Sequence, residues 1–393
     1  MNNQTSPSFQ ASDETNYKRS VIEGILSLPF SKNNKVKLLT SGEETFTSIL
    51  EAVSGARSII CIEFYMFKDD DTGKRLAEIL KRKANEGVNV YLLYDHFGSF
   101  LTSRRFWSDL KKAGVKVKVS HTFRWSAPRG YIYRNHKKLL LIDGQKAFMG
   151  GFNIADEYHR HFKKTKKPWR DTGIYLEGPI ASVLLNIFRK SWSTWKGDPI
   201  RTVSKPLVPT GGIQVIPVFA SSRRAKKKMR KLFNYSINSA KESIFLTTPY
   251  FIPGRKILKA LVRAAESGVD ARLLLQGETD IKSVFYAGRS YYRRLLKAGV
   301  KIYNYKGSVL HAKTAVFDGC WSIVGSTNLD SQSLLRNEES NVGILDRNFS
   351  VYMTEVFQID LQDSIEINAG KWQDRPLYEK FLEKLFSFIM KKL

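Results

Sequence analysis

The hydrophobic and polar positions along the chain follow one pattern that occurs twice. In the first occurrence, residues 57–67 form an apolar, β-rich run, and residues 73–95 show helical apolar spacing, a glycine and a second apolar run. Residues 242–253 and 254–277 repeat this order. Helical apolar spacing predicts an amphipathic helix, a glycine can end it, and a short apolar run predicts a buried strand. Each occurrence therefore predicts a strand, a helix and a strand.

Each half continues with a second helix, glycine and strand, at 106–119 and 291–305, and closes with two strands around an Asp-Gly turn. These turns, Asp143-Gly144 and Asp318-Gly319, are of the kind that joins tight hairpins. Both halves are thus β-α-β-α-β-β units, and alternating strands and helices are typical of an α/β sheet. The repeat is far longer than a solenoid repeat, so a whole domain is duplicated.

The duplication predicts the domain organisation. We expect an α/β fold of two tandem domains, each a mixed β-sheet flanked by helices, which form a pseudo-twofold dimer with one shared active site. The segment 197–212 is rich in proline and glycine and predicts the joint. The expected parts are a disordered tail at 1–18, a first domain at 19–200, a linker at 201–212, a second domain at 213–370 and an amphipathic C-terminal helix at 371–393.

The composition is that of a folded and strongly basic protein. The 393 residues are 42% hydrophobic, and Lys plus Arg (64) exceed Asp plus Glu (37), which gives a net charge of +27. Such a charge attracts polyanions, either nucleic acid or an anionic membrane surface, and the composition does not separate the two. Two cysteines, Cys61 and Cys320, in apolar settings indicate neither a disulfide framework nor a cysteine zinc site.

The apolar runs indicate a protein that lies in the cytosol or on a membrane without crossing it. The N-terminus has no basic region before an apolar core, so no secretory signal is expected. None of the apolar runs approaches the roughly 20 residues that a spanning helix needs. The histidines outside the repeated motifs lack partners at metal-ligand spacing, so no metal is assigned. They are His96, His121, His159 and His161.

Two kinds of segment favour a polyanionic or membrane partner. The basic runs 223–231, with seven basic residues in nine, and 163–167 exceed what solubility needs. The C-terminal segment 376–393 predicts an amphipathic helix, for which packing on its own domain and membrane anchoring both remain open. The apolar side of this helix comprises Tyr378, Phe381, Leu382, Leu385, Phe388 and Ile389.

The repeated polar residues lie in two stretches of 18 residues, HKKLLLIDGQKAFMGGFN from His136 and HAKTAVFDGCWSIVGSTN from His311. Packing does not explain why polar residues recur together at fixed offsets. The recurring pairs are His136/His311, Lys138/Lys313, Asp143/Asp318, Gly150/Gly325 and Asn153/Asn328. In a strand, residues two apart share a face, so each half presents an imidazole beside an ammonium group. The segment from Tyr65 to His136 is ten residues longer than the corresponding segment of the second half. Most of the additional residues lie in the loop just before His136.

This inventory suits phosphodiester chemistry. Two lysines and two asparagine amides neutralise phosphate oxygens as charge builds in the transition state. One imidazole attacks phosphorus, and the other protonates the leaving oxygen. No metal or cofactor is required, because the lysines supply the positive charge. The small residues at Gly150-Gly151 and Gly325-Ser326 predict a close approach of backbone and phosphate.

The motif H-x-K-x4-D-x6-G-[GS]-x-N, present twice, resembles the signature of the phospholipase D superfamily. The likeness extends from about Lys35 to the C-terminus. Blocks such as IEFYMFKDDDTGKRL, WRDTGIYLEGP and GSTNLDSQSLLRNEESNVGI are similar to those of bacterial cardiolipin synthases, in the branch without N-terminal transmembrane helices. The first copy has Gly151 where the second has Ser326, and both residues are compatible with the family's pattern.

The resemblance implies a fold of two phospholipase D-like domains and a ping-pong phosphatidyl transfer through a phosphohistidine. Two phosphatidylglycerols would give cardiolipin and glycerol. The nucleophile would be His136, and His311 would serve as general acid and then base. A downstream acid in each half, Asp171 and Glu339, would orient the imidazole. The motif's catalytic set also includes Lys138, Lys313, Asp143 and Asp318, of which the two aspartates are more typical of structural members.

The resemblance also implies partners and a location. We expect anionic phospholipid (phosphatidylglycerol and cardiolipin) and a membrane surface as partners, at the cytoplasmic face of a bacterial cell membrane, and not nucleic acid. The alternative is a phospholipase D-type phosphodiesterase that acts as a nuclease or lipid hydrolase. A scaffold with a decayed site is disfavoured, because both motifs are complete. The acceptor (phosphatidylglycerol, phosphatidylethanolamine, glycerol or water), the order of the histidines and the oligomeric state stay open.

Overall fold

The computed structural model describes residues 16–123, 125, 131–159, 167–200, 211–277 and 281–392, with side chains up to residue 389. The expected tail, the expected linker and the lysine run at 163–167 lie almost entirely outside the described residues. The described part of the chain contains no helix that is long and apolar enough to span a bilayer.

The first half contains the predicted β-α-β-α-β-β order, with additional helices and strands before and after it. In chain order they are α1 (Arg19–Leu26), β1 (Ser31–Leu39), α2 (Gly42–Ser54), β2 (Ile59–Phe64), α3 (Asp71–Asn85), β3 (Asn89–Asp95), α4 (Arg104–Lys112), β4 (Lys116–Ser120), β5 (Lys138–Ile142), β6 (Lys146–Gly150), β7 (Gly173–Glu177) and α5 (Pro179–Thr194). A 3-10 turn at Asp156–Tyr158 precedes β7.

The second half repeats the order from β1 to α5, with two additional helices within it and further elements at its end. It contains β8 (Ile213–Phe219), α6 (Arg223–Ser239), β9 (Ser243–Thr248), α7 (Arg255–Glu266), β10 (Asp270–Gln276), α8 (Lys282–Arg289), α9 (Tyr292–Lys297), β11 (Lys301–Tyr305), β12 (Thr314–Phe317), β13 (Trp321–Gly325), α10 (Ser331–Leu335), β14 (Ser340–Leu345), α11 (Arg347–Gln362), β15 (Ser364–Glu366) and α12 (Leu377–Lys392). A 3-10 turn at Lys371–Asp374 precedes α12.

Glycine and Asp-Gly positions end the elements as predicted. Both residues of each hairpin turn have positive φ, 54° and 64° at Asp143-Gly144 and 49° and 57° at Asp318-Gly319. This backbone is that of the tight turn whose twist matches the flanking strands. The glycines that follow the predicted helices adopt the same left-handed backbone. They are Gly87, Gly114, Gly268 and Gly299, with φ between 88° and 93°.

The strands form one continuous mixed sheet whose two ends mirror each other. From one edge the order is β4-β3-β2-β5-β6-β7-β1, and from the other, after the short edge strand β15, it is β11-β10-β9-β12-β13-β14-β8. In each half three strands are parallel and the hairpin that follows is antiparallel to them. The halves join where β1 pairs with β8 in an irregular register. This arrangement confirms the predicted duplicated α/β fold.

Apolar side chains of both halves pack in common hydrophobic cores. One apolar cluster joins Leu139 and Leu141 of the first half to Leu310 and Val316 of the second. Helix α1 packs in the core of the second half against α6, although it precedes the first half in the chain. The halves are therefore intertwined through their cores as well as their sheets.

Candidate active site

The two motif histidines lie just before equivalent strands, at the carboxyl ends of parallel strands. Lys138 at the start of β5 pairs with Phe64 at the end of β2, and the amide of Tyr65 donates to the carbonyl oxygen of Lys137 at 3.1 Å. In the second half, Thr314 at the start of β12 pairs with Thr247 of β9. Carboxyl ends of parallel strands are where α/β sheets place their sites.

Backbone hydrogen bonds tie each motif to the other half. The amide of His136 donates to the carbonyl oxygen of Glu338 at 2.9 Å. The amide of His311 donates to the carbonyl oxygen of Arg170 at 2.7 Å. Residues 170 and 338 each precede one of the two expected acids, so these bonds bring each acid to the opposite histidine.

Each imidazole is bonded to a buried carboxylate from the opposite half. Nδ1 of His136 lies 3.0 Å from Oε2 of Glu339, and Nδ1 of His311 lies 2.6 Å from Oδ2 of Asp171. A neutral imidazole that donates Nδ1–H to a carboxylate keeps its lone pair on Nε2. The sequence predicts one acid in each half, and the structure shows that the acids are exchanged between halves.

The difference between Gly151 and Ser326 follows from the two acids. Oγ of Ser326 donates to Oε2 of Glu339 at 2.5 Å. At Gly151 a Cβ atom would lie 2.0 Å from Oδ1 of Asp171, so only glycine fits beside that carboxylate. The small residues thus make room for the protein's own carboxylate and strands. Gly150, for example, has φ 144°, and its Cβ would meet the carbonyl oxygen of Thr172 at 2.4 Å.

The two motif lysines are buried beside the imidazoles. Nζ of Lys138 donates to the carbonyl oxygen of His136 at 2.9 Å, and Nζ of Lys313 donates to that of His311. Burial and the charge of Lys313 together lower the pKa of Lys138 to about 7, despite the opposing effect of Glu339. The ammonium groups of the two halves therefore act on each other in one site.

Both imidazoles are neutral near pH 7 for the same reasons. Burial lowers the pKa of His136, and the charges of both lysines add to this effect, while Glu339 opposes it. Burial and the charge of Lys313 lower the pKa of His311 to about 3, despite Asp171. Two neutral imidazoles with lone pairs on Nε2 can serve as a nucleophile and a base.

The two asparagines differ in their contacts. Oδ1 of Asn153 accepts from the amide of Met66 at 3.3 Å, and its Nδ2 donates to the hydroxyl oxygen of Tyr158 at 2.7 Å. Oδ1 of buried Asn328 has no hydrogen-bond partner among the described residues. Asn153 therefore stabilises the protein around Tyr158, whose hydroxyl lies 3.4 Å from Nδ1 of His311.

The motif aspartates lie far from the histidines. Asp143 directly follows the five residues of β5, a strand that is about 16 Å long at the usual rise per residue. Its carboxylate accepts hydrogen bonds from the amides of Ser58 (2.8 Å) and Ile59 (3.0 Å). Asp318 accepts equivalent bonds from the amides of Glu242 (2.8 Å) and Ser243 (2.9 Å). Both carboxylates anchor the hairpin turn to the start of the neighbouring strand, and they contact no reacting group.

A buried ion cluster beside His136 is absent from the sequence prediction. Nζ of Lys137 lies 2.9 Å from Oε1 of Glu63 and 2.5 Å from Oε2 of Glu338, with Oγ of Ser191 at 3.1 Å. Lys137 and Glu63 are fully buried. Ala312 occupies the repeat position of Lys137, so the duplication carries no signal for this cluster.

Aromatic rings enclose both imidazoles. The ring of Tyr65 meets that of His136 edge to face at 4.9 Å, and Tyr158 and Trp169 lie 5.5 and 5.6 Å from His311. Among the described residues, no group of three or more His, Cys, Asp or Glu side chains is arranged to hold a metal ion.

Comparisons with known proteins show the family to which the chain belongs. A family model described as "Cardiolipin synthase, PLD-like domain" matches residues 49–166 and 234–361. The chain is 37% identical over 377 residues to the cardiolipin synthase of Halalkalibacterium halodurans, a match that covers 90% of this chain and 71% of that protein. It is 35% identical over 373 residues to cardiolipin synthase 2 of Bacillus anthracis, covering 93% of this chain and 72% of the relative.

Solved structures share the fold. The phosphatidylserine synthase of Haemophilus influenzae Rd KW20 superposes with a TM-score of 0.72 at 15% identity, covering 94% of this chain and 97% of the other. The polyphosphate kinase of Porphyromonas gingivalis superposes with a TM-score of 0.56 at 13% identity, covering 99% of this chain and 57% of the kinase. At these identities the likeness shows the fold alone.

Proposed function

The chain belongs to the phospholipase D superfamily, in the branch that the cardiolipin synthase family model describes, and we propose that it transfers a phosphatidyl group from one phosphatidylglycerol to another. The products are cardiolipin and glycerol. The observation that carries the proposal is the pair of neutral imidazoles, each bonded to a buried acid of the opposite half, beside two buried lysines.

The first step forms a covalent intermediate. Nε2 of His136 attacks phosphorus, a P–N bond forms, and the P–O bond to glycerol breaks. His311 in its protonated form donates a proton to the leaving oxygen. An anionic phosphodiester offsets the lysine charges that lower the pKa of His311, so substrate binding favours this protonated form. Lys138 and Lys313 stabilise the charge that develops on the phosphate oxygens.

The second step regenerates the protein. Neutral His311 accepts the hydroxyl proton of the incoming phosphatidylglycerol, whose oxygen attacks phosphorus as the P–N bond breaks. Water at the same position gives hydrolysis, so the two activities differ only in the acceptor.

We test the proposal with purified protein on phosphatidylglycerol vesicles and on single-stranded DNA in parallel. Cardiolipin as the main product supports transfer, phosphatidic acid indicates a hydrolase, and shortened DNA indicates a nuclease.

We further propose that α12 anchors the protein to the cytoplasmic face of the membrane. Its polar side faces the protein, because Glu383 is buried and binds Arg289 at 3.1 Å and Arg375 at 2.6 Å. The apolar side faces outward, with Tyr378, Phe381, Leu385, Phe388 and Ile389 all exposed. Part of the helix also packs on its own domain, the alternative left open by the sequence: Leu382 is half-buried, and the ring of Phe386 stacks on Tyr286 of α8 at 6.2 Å.

The basic run on α6 supports the membrane proposal less than its sequence predicts. Lys228 donates to the carbonyl oxygen of Leu26, and Arg230 donates to that of Leu334, both at 2.7 Å. Lys226 is buried and donates to the carbonyl oxygen of Arg336. These side chains satisfy carbonyl groups at the ends of α1 and α10, a common use of basic residues. Four of the seven basic residues remain exposed: Arg223, Arg224, Lys227 and Lys231.

Replacing apolar residues on the outer side of α12 should weaken membrane binding without loss of chemistry. For Phe381→Ser/Leu385→Ser we expect about 100-fold weaker binding to phosphatidylglycerol vesicles, because each side chain contributes about 1.5 kcal/mol when buried in lipid. Turnover of a soluble short-chain phosphatidylglycerol should stay unchanged. Vesicle sedimentation and product analysis measure both. Deletion of residues 377–393 should have a larger effect of the same kind, and unchanged vesicle binding in either variant would show that α12 is not the anchor.

The dependence of kcat/KM on pH should have a steep alkaline limb above pH 7, because kcat/KM reports the ionisation of the free protein and both His311 and Lys138 must carry a proton. Burial lowers the pKa of His311 to about 3, so kcat/KM already falls gradually with rising pH below neutrality. The pKa of Lys138 is lowered to about 7, so its charge, and with it phosphate binding, is lost as pH rises through neutrality. Lys138→Arg should remove the steep part of the alkaline limb from whatever activity remains, since a guanidinium keeps its proton. An unchanged alkaline limb in that variant would assign the limb to another group.

A further inference from the structure

An exposed apolar surface lies beside His136 on the loops that follow β3 and β4. We call it the aromatic rim and define it by Phe97, Phe100, Leu101, Phe123 and Trp125. Phe100 is 67% exposed, Leu101 86% and Trp125 89%. Large apolar side chains that cluster on a surface usually mark an interaction site.

The rim is connected to the active site through Gly98 and Arg134. Gly98 lies so close to Tyr65 that a Cβ atom would be 2.2 Å from its carbonyl oxygen, and the ring of Tyr65 packs on His136 at 4.9 Å. Arg134, two residues before His136, places its guanidinium 4.3 Å from the ring of Phe97. The loop that carries Phe97 and Phe100 is therefore linked to the attacking imidazole through Tyr65 and Arg134.

Side-chain contacts give the rim a defined shape. The ring of Tyr131 meets Phe123 at 5.2 Å and Phe97 at 5.9 Å, and its hydroxyl lies 2.9 Å from Nδ1 of His96. The guanidinium of Arg134 also lies over Tyr131 at 4.4 Å. The apolar side chains thus project from a base that is already packed.

The charge beside the rim is positive. Arg134 belongs to its base, and exposed Arg104 and Arg105 begin α4 directly after the first loop. Exposed aromatic and aliphatic side chains flanked by arginines are typical of a surface that enters the head-group region of an anionic bilayer. Stacking on nucleic-acid bases also uses aromatic rings, but the most exposed positions include the aliphatic Leu101, which offers no face for stacking.

The second half carries an exposed apolar surface at the equivalent place. Helix α8 follows β10 as the rim's first loop follows β3, and α12 packs on α8, where Arg289 binds Glu379 and Glu383. Helix α8 lies against Phe251, because a Cβ atom at Gly288 would be 2.8 Å from the carbonyl oxygen of Phe251. Phe251 in turn forms an isolated β-bridge with Leu329, the residue after Asn328. Each half therefore presents apolar side chains near its own copy of the motif.

From these observations we infer that the aromatic rim inserts into the surface of an anionic phospholipid bilayer and holds the mouth of the site on the lipid head groups. The inference rests on the proposed function, because it takes the phosphatidyl donor to be a lipid of that bilayer. The rim is a second membrane contact in addition to α12. Its role is to position the active site, whereas α12 provides attachment.

Depth of insertion can be measured without catalysis. Cys61 and Cys320 are buried, and burial raises the pKa of both thiols, so an introduced Leu101→Cys can be labelled selectively with nitrobenzoxadiazole. On phosphatidylglycerol vesicles we expect the label's emission to shift to the blue and to be quenched by doxyl lipids. The matched control is Ile359→Cys on α11, which is 60% exposed and should stay in water. A label at 101 that stays in water on sedimented vesicles, or that responds to single-stranded DNA instead, overturns the inference.

Activity provides a second readout that separates the rim from the proposed function. Phe100→Ser/Leu101→Ser/Trp125→Ser should lower turnover on vesicles about tenfold or more and leave turnover of soluble short-chain phosphatidylglycerol unchanged. The control Val351→Ser/Tyr352→Ser/Ile359→Ser alters three large apolar residues of α11 that are 43–60% exposed, and it should change neither turnover. Unchanged vesicle turnover in the rim variant overturns the inference. No turnover of either substrate by the parent protein overturns the proposed function, while the label at residue 101 still decides whether the rim inserts.

Discussion

Incubation with a lipid labelled in its phosphatidyl group should leave label on the parent protein and none on His136→Ala. The bond is a phosphoramidate, which is stable in base and labile in acid, and peptide mapping should place it on His136. His311→Ala should slow turnover of phosphatidylglycerol by a factor on the order of 10²–10⁴, the usual contribution of a general acid. It should still become labelled from a donor whose activated leaving group needs no proton.

Because each acid contacts the histidine of the opposite half, variants of the two acids should differ in labelling. Glu339 belongs to the second half but bonds to His136, so Glu339→Gln should impair labelling by both ordinary and activated donors. Asp171→Asn acts on His311, and the activated donor should restore its labelling. If the two acids acted within their own halves, the two results would be reversed.

Other outcomes identify other mechanisms. Label on His311 in the His136→Ala variant would reverse the two roles and keep the paired-histidine mechanism. Lys138 and Lys313 carry the positive charge in this mechanism, so a chelator should leave the rate unchanged. Loss of activity with a chelator, together with no label on either histidine, would contradict the mechanism.

Lys137→Met should reduce the free energy of unfolding by about 3–5 kcal/mol, the usual cost of removing one partner from a buried ion pair. The substitution leaves the carboxylate of Glu63 buried without its cation. Lys137→Met/Glu63→Gln should recover much of the loss, because the second change removes the uncompensated charge. Urea denaturation followed by circular dichroism measures the free energy of unfolding of the parent protein and of these two variants. Lys226→Met removes a buried lysine that binds a carbonyl oxygen and serves as the control with a smaller expected loss.

The same cluster predicts a dependence of stability on pH. Burial opposes ionisation of Glu338, but Lys137 and His121 outweigh it and lower its pKa from 4.5 to about 2. A carboxyl group with a lowered pKa in the folded protein stabilises the fold above its unfolded pKa. This stabilisation is therefore present above pH 4.5 and is lost as pH falls towards 2. In Lys137→Met this part of the pH dependence should shrink, and an unchanged profile would show that Lys137 is not the main partner of Glu338.

Much of the fold could be predicted because it depends on local patterns. Helix ends at Gly87 and Gly268 and the turn at Asp143-Gly144 follow from backbone preferences of single residues, and the structure has them where the sequence predicts them. The duplication added what one half alone does not show, since His and Lys that recur at fixed offsets indicate chemistry. The acids Asp171 and Glu339 were found through the family resemblance, but which histidine each contacts was not.

The sequence by itself determined the β-α-β-α-β-β order at the centre of each half, the duplication and the chemical groups of the site, because these depend on periodicity and on residue type. Only the tertiary structure decided which groups meet. Glu339 lies about 200 residues from His136 in the chain, and their contact depends on how the two halves pack. The outward apolar side of α12 was decided in the same way, by the ion pairs of Glu383 with Arg289 and Arg375. Periodicity shows which residues share one side of a helix, but it does not show what that side will face.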